Sequence, residues 1–278
     1  MTIFGTIGLF VRSVSFPSAF IAFVRGALGS LILVIVFIEA RKKVSADELK
    51  RNLPLLIISG ITIAFNWILL FQAYRYTSVS IATLCYYLAP VIVTAVSPVI
   101  LKEKLPVIKI LFVFLSLVGM YLISGVGGEG GGSFTGIVYG VAAAALYASV
   151  IIMNKFIKGL DAFEITIVQL LSAAVGVVPY ILLTGGFSGI NITGHDALIL
   201  CIIGVIHTGV TYWLYFGSMK GLKAQTIAIY SYVDPVVAII LSALILKEHM
   251  GIREIIGAVL ILGSTFASDM VRPGGKNE

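Results

Sequence analysis

Long apolar runs alternate with short polar breaks along the whole chain, and the runs have the length that a bilayer demands. A helix needs about 20 mostly apolar residues to cross roughly 30 Å of hydrocarbon. Runs of this kind cover residues 18–38, 53–73, 79–101, 107–124 and 134–153, then 163–183, 197–217, 224–246 and 252–268. With the opening stretch 1–11 they predict an all-α integral membrane protein of about ten transmembrane helices.

Composition narrows the solvent. Of 278 residues, 59% are hydrophobic and 12% charged, against roughly 25% charged in a soluble domain. Lipid must therefore cover most of the surface. The net charge of +6 does not indicate nucleic acid, because the cations sit in the breaks rather than on one folded face. Their densest group, Arg41, Lys42, Lys43, Lys50 and Arg51, follows the positive-inside rule. Cys85 and Cys201 lie in separate apolar runs, so neither a disulfide framework nor a metal site is expected. Glycine-rich 125–132 has no preceding strand and no closing Lys-Ser or Lys-Thr pair, and reads as a linker rather than a phosphate loop. Glu248 and His249 are adjacent, whereas a zinc-protease helix needs two His four apart. No enzymatic constellation and no cofactor is expected.

An internal repeat organises the chain. Phe71 falls on Phe216 at an offset of 145, and the same offset lays Trp67 on Tyr212, Tyr87 on Tyr232 and Ala89-Pro90 on Asp234-Pro235. It also lays Leu101-Lys102-Glu103 on Leu246-Lys247-Glu248. Earlier in each half the offset is shorter: Phe4 matches Tyr147 and Arg12 matches Lys155 at 143, and Arg25 falls on Gln169 at 144. The expected units are a first repeat 1–124, a linker 125–133, a second repeat 134–270 and a cytoplasmic tail 271–278. Five spans per half force the second copy to enter from the opposite side, giving two inverted five-helix repeats. With the N-terminus inside, inner segments hold Lys102, Lys109, Lys155, Lys158 and Lys220 besides the Arg41 group, and outer ones hold Arg12, Arg75, Lys247 and Arg253. This bias predicts both termini in the cytoplasm of a multi-pass cell-membrane protein, a prokaryotic inner membrane being the expected location. The first span lacks about eight residues that its partner has, and at about 1.5 Å per residue is too short to cross. Met1 then reads as an internal start or a boundary, or the helix is shortened in nature.

The candidate chemistry lies inside the spans. Pro90 and Pro235 occupy equivalent places, and each removes an N–H, so carbonyls near Tyr86 and Ser231 lose their helical partner. Paired interruptions of this kind point to a transporter's binding site. Asp234 stands in an otherwise uncharged span, where a lone carboxylate costs several kcal/mol unless it is paired, solvated or protonated. Arg25 is its most suggestive counter-charge. Two readings stay open: a structural Arg25–Asp234 ion pair or snorkelling arginine, and two residues that contact opposite ends of a zwitterion. Asn66, Trp67, Tyr86 and Tyr87 in the first half, and Tyr147, Gln169, His207, Tyr212, Tyr230 and Ser231 in the second, are the remaining candidates for the wall of a substrate site. His207 reads either as a satisfied core residue or as a proton carrier.

Residues 82–90 followed by Leu101-Lys102-Glu103, and residues 224–235 followed by Leu246-Lys247-Glu248, resemble the EamA family of the drug/metabolite transporter superfamily. Phe4-Gly5 and the Ala22–Arg25 stretch resemble that family's opening aromatic-glycine and its arginine-bearing second span. The resemblance extends over nearly the whole chain. It implies ten helices, a central cavity between the halves and movement of small metabolites without ATP. The expected function is secondary transport of amino acids or related zwitterions, in the export direction, by alternating access. The alternative is a multidrug or cationic-compound exporter. Expected partners are a small-molecule substrate and the lipid bilayer, without nucleic acid, and proton coupling is admitted.

Overall fold

The computed structural model describes residues 1–41, 45–102, 105–124, 133–219, 222 and 224–271. The Arg41 group's Lys42 and Lys43, Glu103, the 125–132 linker, Lys220, Lys223 and the 272–278 tail lie outside them.

Every regular element among the described residues is helical. The first half holds α1 (Thr2–Gly5), α2 (Ile7–Arg12), α3 (Ser18–Glu39), α4 (Ala46–Tyr76), α5 (Val79–Tyr86), α6 (Ala89–Ile100) and α7 (Val107–Ile123). The second holds α8 (Phe134–Phe156), α9 (Ala162–Leu183), α10 (Gly194–Cys201), a π-helical segment (Ile202–Val210), α11 (Thr211–Met219), α12 (Ala224–Ser231), α13 (Val233–Leu244) and α14 (Ile252–Met270). Among the described residues six stretches are long and apolar enough to cross a membrane: Ser18–Glu39, Ala46–Tyr76, Val79–Ile100, Phe134–Phe156, Ala162–Leu183 and Gly194–Ser218. Thr2–Arg12, Val107–Ile123 and Ile229–Leu244 are apolar but shorter, and α14 carries Arg253, Glu254 and Asp269 within its length. The structure is that of a multi-pass membrane protein.

The proline-bearing helices are interrupted where the repeat aligns them. α5 stops at Tyr86 and α6 restarts at Ala89 with Pro90 in its first turn, a position where the missing N–H has no partner to lose. In the second half Tyr232 separates α12 from α13, and Pro235 follows in the first turn of α13. The two later helix ends also match. Lys102 and Lys247, again 145 apart, both have φ of 55°, the left-handed conformation that closes a helix. A non-glycine residue there costs about 1–2 kcal/mol. Lys247→Gly is therefore expected to unfold no earlier than the parent in detergent, and Lys247→Val, whose branched carbon clashes in this region, about 1 kcal/mol earlier.

Helix packing joins the halves. α8 lies along α4 and also touches α5 and α6, while α1 lies against α13. α3 packs on α9 and on the π segment, and α7 packs on α14. Close approach needs glycine at the α1–α13 crossing, where a Cβ on Gly5 would fall 2.5 Å from the Asp234 carbonyl. Hydrogen bonds sort the loops into two sets. Arg12 and Arg75 donate to the Tyr74 and Phe16 carbonyls, and the Val79 N–H donates to Glu248 at 2.9 Å, so residues 12–17, 74–79 and 248 share one end. Asn52 exchanges bonds with both backbone groups of Lys158, at 2.9 and 3.5 Å, which joins the start of α4 to the α8–α9 turn.

Candidate functional site

A cavity of about 220 Å³ opens between the halves. α3 brings Arg25 to it, α4 brings Asn66, Trp67 and Tyr74, and the α5–α6 interruption brings Tyr86 and Tyr87. From the second half come Tyr147 on α8, Tyr212 and Tyr215 on α11, and Ser231 and Asp234 beside the α12–α13 interruption.

Arg25 is 5% exposed, and its guanidinium carbon sits 4.1 Å from the centre of the Trp67 ring. Its Nε donates to the Thr208 hydroxyl at 3.0 Å. Thr208 in turn donates to the Ile203 carbonyl five residues back at 3.0 Å. That reach is the signature of the wide π turn, and it frees the threonine lone pair for Arg25. Thr208→Val keeps the shape but strands a buried Nε–H, and is expected to lower stability by about 1–3 kcal/mol, read from thermal unfolding of purified protein.

Asp234 holds its carboxylate 2.9 Å from the Tyr87 hydroxyl, which also lies 3.1 Å from the Ser231 carbonyl. A phenol has one proton, and the charged acceptor claims it. Among the described residues no ion pair joins Arg25 to Asp234. Tyr86 donates to Asn66 Oδ1 at 3.3 Å and stacks on Tyr147 at 5.2 Å, while Asn66 is held by the Ala143 carbonyl at 2.6 Å. The site thus offers a guanidinium whose terminal N–H groups have no hydrogen-bond partner among the described residues, a carboxylate, and a wall of rings.

Three sequence candidates stand elsewhere. Gln169 is buried at the α4–α9 contact, donating to Ser59 and Asn154 at 2.7 Å each. His207 lies on the π segment, with Nδ1 3.1 Å from the Ile202 carbonyl and Nε2 2.7 Å from the Thr6 hydroxyl. A neutral ring protonated at Nδ1 donates to Ile202 and accepts at Nε2 from Thr6, whose one proton then turns away from the Ile3 carbonyl 2.8 Å from it. Tyr230 is 57% exposed and lines a second cavity of about 600 Å³ that shares Met1 and Tyr215 with the first. Pro90 and Pro235 flank the interruptions rather than the cavity wall.

The cavity also contains Phe4, Tyr74, Thr83 and Tyr215, which were not among the candidates. The repeat carried a signal for two of them. Phe4 is the partner of Tyr147, and Tyr215 is the partner of Leu70, which lines the cavity as well.

Comparison with known proteins covers nearly the whole chain. The family described as EamA-like transporter family matches residues 1–125 and 134–268. The chain is 31% identical to the uncharacterized transporter YxxF of Bacillus subtilis (strain 168), an alignment covering 99% of this chain and 88% of that protein. It is 27% identical to an uncharacterized transporter of Archaeoglobus fulgidus, over 93% of this chain and 89% of the relative. A solved structure described only as the crystal structure of a protein superposes with a TM-score of 0.65 at 19% identity, covering 95% of this chain and 91% of that one. The structural likeness speaks for the fold, and the family match for membership. Matched in both halves and over nearly all its length, this chain belongs to the EamA-like transporter family.

Proposed function

We propose that the protein is a secondary transporter that exports amino acids or related zwitterions by alternating access. One observation carries this reading: Arg25 and Asp234 face a common cavity without forming an ion pair among the described residues. The carboxylate and ammonium of a zwitterion would replace the hydration that each side chain gives up on burial. At about 220 Å³ the cavity is smaller than the roughly 300–1,000 Å³ of drug-sized sites, which favours a small metabolite. The rings beside Asp234 favour a second reading, an exporter of organic cations held by charge and cation–π contact. Thermal shifts of the purified chain separate the two. Stabilisation by neutral amino acids but not by their decarboxylated amines supports the zwitterion carrier, and the reverse pattern replaces it with the cation exporter.

Alternating access needs two conformations of similar energy, which oppositely inserted halves supply. Matching interruptions at Tyr87 and Tyr232, matching left-handed lysines and the two sets of loops support such an inverted arrangement. In this reading both termini face the cytoplasm. Single cysteines at Ser15 and Lys158, repeat-equivalent loop positions 143 apart, in a chain with Cys85 and Cys201 replaced, are expected to react with an impermeant maleimide from opposite faces of intact membranes. Labelling from one face refutes the inversion.

A further inference from the structure

A small polar pocket lies away from the central cavity, where α6, α7 and α14 meet. Its volume is about 10 Å³, room for one water molecule or a small bare cation. Thr94, Ser116, Ser264, Thr265, Ser268 and Asp269 line it, so every polar group around it offers oxygen. Ser116 lies on α7 and Ser264, Thr265 and Ser268 on α14, two helices that pack against each other.

The direction of the hydroxyl protons decides what the pocket can hold. Ser116 donates to the Phe112 carbonyl at 3.0 Å and Thr265 to the Ile261 carbonyl at 2.6 Å, each back along its own helix. Ser264 lies 2.6 Å from Ser116, too close for both protons to point away, so with Ser116 turned to Phe112 the Ser264 proton goes to the Ser116 oxygen rather than to the Leu260 carbonyl. What these groups have left for the pocket is lone pairs. Ser268, 6% exposed, has no hydrogen-bond partner for its Oγ among the described residues, and a buried hydroxyl left unmade costs about 1–3 kcal/mol. Asp269 receives the Tyr232 hydroxyl on Oδ2 at 2.8 Å, which leaves Oδ1 available. Lys109 on α7 is the cation that faces Asp269, and among the described residues the two form no ion pair.

A water molecule has two protons to give and so satisfies two of these acceptors, whereas a cation is attracted by all of them. Hard oxygen ligands select alkali and alkaline-earth ions, and a single carboxylate balances one charge rather than two. We propose that this pocket binds a small monovalent cation of the sodium class, held by the hydroxyl oxygens of α7 and α14 and by Asp269. The site is tied to the central cavity. Tyr232, bonded to Asp269, stands at the α12–α13 interruption two residues before Asp234, and its ring centre lies 6.4 Å from that of Tyr87. An ion here would brace the segment that positions Asp234, which makes it a candidate coupling ion. Binding itself does not rest on the transport reading.

The test is thermal unfolding of the purified full chain, without substrate, in sodium, potassium or choline chloride at one ionic strength and one pH. The expected result is a midpoint that rises with sodium concentration and moves little with potassium. Ser268→Ala and Asp269→Asn should each abolish the sodium-specific rise, and in choline Ser268→Ala should unfold no earlier than the parent because it deletes an unpaired hydroxyl. Should Asp269→Asn fail to fold, Thr265→Val takes its place. Equal midpoints in all three salts, or a sodium response that survives these substitutions, overturn the proposal and leave the pocket to water. A response lost on Asp234→Asn but kept in Ser268→Ala overturns it too, by moving the ion to the central cavity.

Discussion

Asp234→Asn is expected to abolish binding and transport of zwitterions and cations alike, while the protein still folds. Asparagine has the shape of aspartate and still offers Tyr87 an acceptor at the position now 2.9 Å away, so the local architecture survives and only the charge is lost. Truncating one partner of a buried charge pair costs about 2–5 kcal/mol, which is about 30-fold to several-thousand-fold in affinity. Arg25→Gln should lose zwitterions to a similar degree but spare organic cations, which have no carboxylate to present to the guanidinium. Titration of purified variants with labelled substrate, followed by transport in proteoliposomes across a range of pH, measures both effects. Normal transport by a folded Asp234→Asn protein would sink the assignment, because the carboxylate would then neither hold substrate nor carry protons.

Glu248→Ala should produce the largest loss of stability. This carboxylate receives the Arg12 guanidinium at 2.7 Å, the Val79 N–H at 2.9 Å and the Ser242 hydroxyl. One side chain thereby ties α2, the start of α5 and the end of α13. Removing it leaves three donors without their acceptor, one of them a guanidinium that also bonds the Tyr74 carbonyl. Arg12 is one-third exposed, so water recovers part of the deficit, and a loss of about 2–4 kcal/mol is expected. Thermal unfolding in detergent gives the value. Charge exchange, Arg12→Glu with Glu248→Arg, should recover only the share due to the ion pair and not that due to Val79 and Ser242. Recovery of the whole loss would reduce the cluster to a simple salt bridge.

Much of this site was legible because scarcity and symmetry are visible in a linear sequence. Asp234 and Arg25 stood out as charges deep in apolar runs, and both line the cavity. Pro90 and Pro235 stood out through their repeat pairing rather than through the missing N–H alone, since Pro54, Pro98 and Pro179 lie inside continuous helices. Gln169 shows the limit. It was drawn in by its alignment with Arg25, yet it turns to Ser59 and Asn154, since the face a helix presents to a neighbour is set by tertiary packing. Tyr230 lines the second cavity rather than the first. The Arg12–Glu248 contact joins residues 236 apart, and neither residue carries a local mark of the other. The π segment was equally hidden, because isoleucine, valine and glycine suit an ordinary helix as well as a wide one.

That segment gives the chain an unequal tolerance to insertion and deletion. A π turn is what a helix makes of an extra residue, on the order of one per bulge, while its flanks stay in line. Removing one residue from Ile202–Val210 would let the helix tighten into the α form with α10 and α11 still facing as before. The same deletion in α4 or α9 would swing everything beyond it by about 100°. Length variation among natural relatives should therefore collect in this stretch of membrane helix, where Thr208 and its hold on Arg25 are the features such an event would sacrifice.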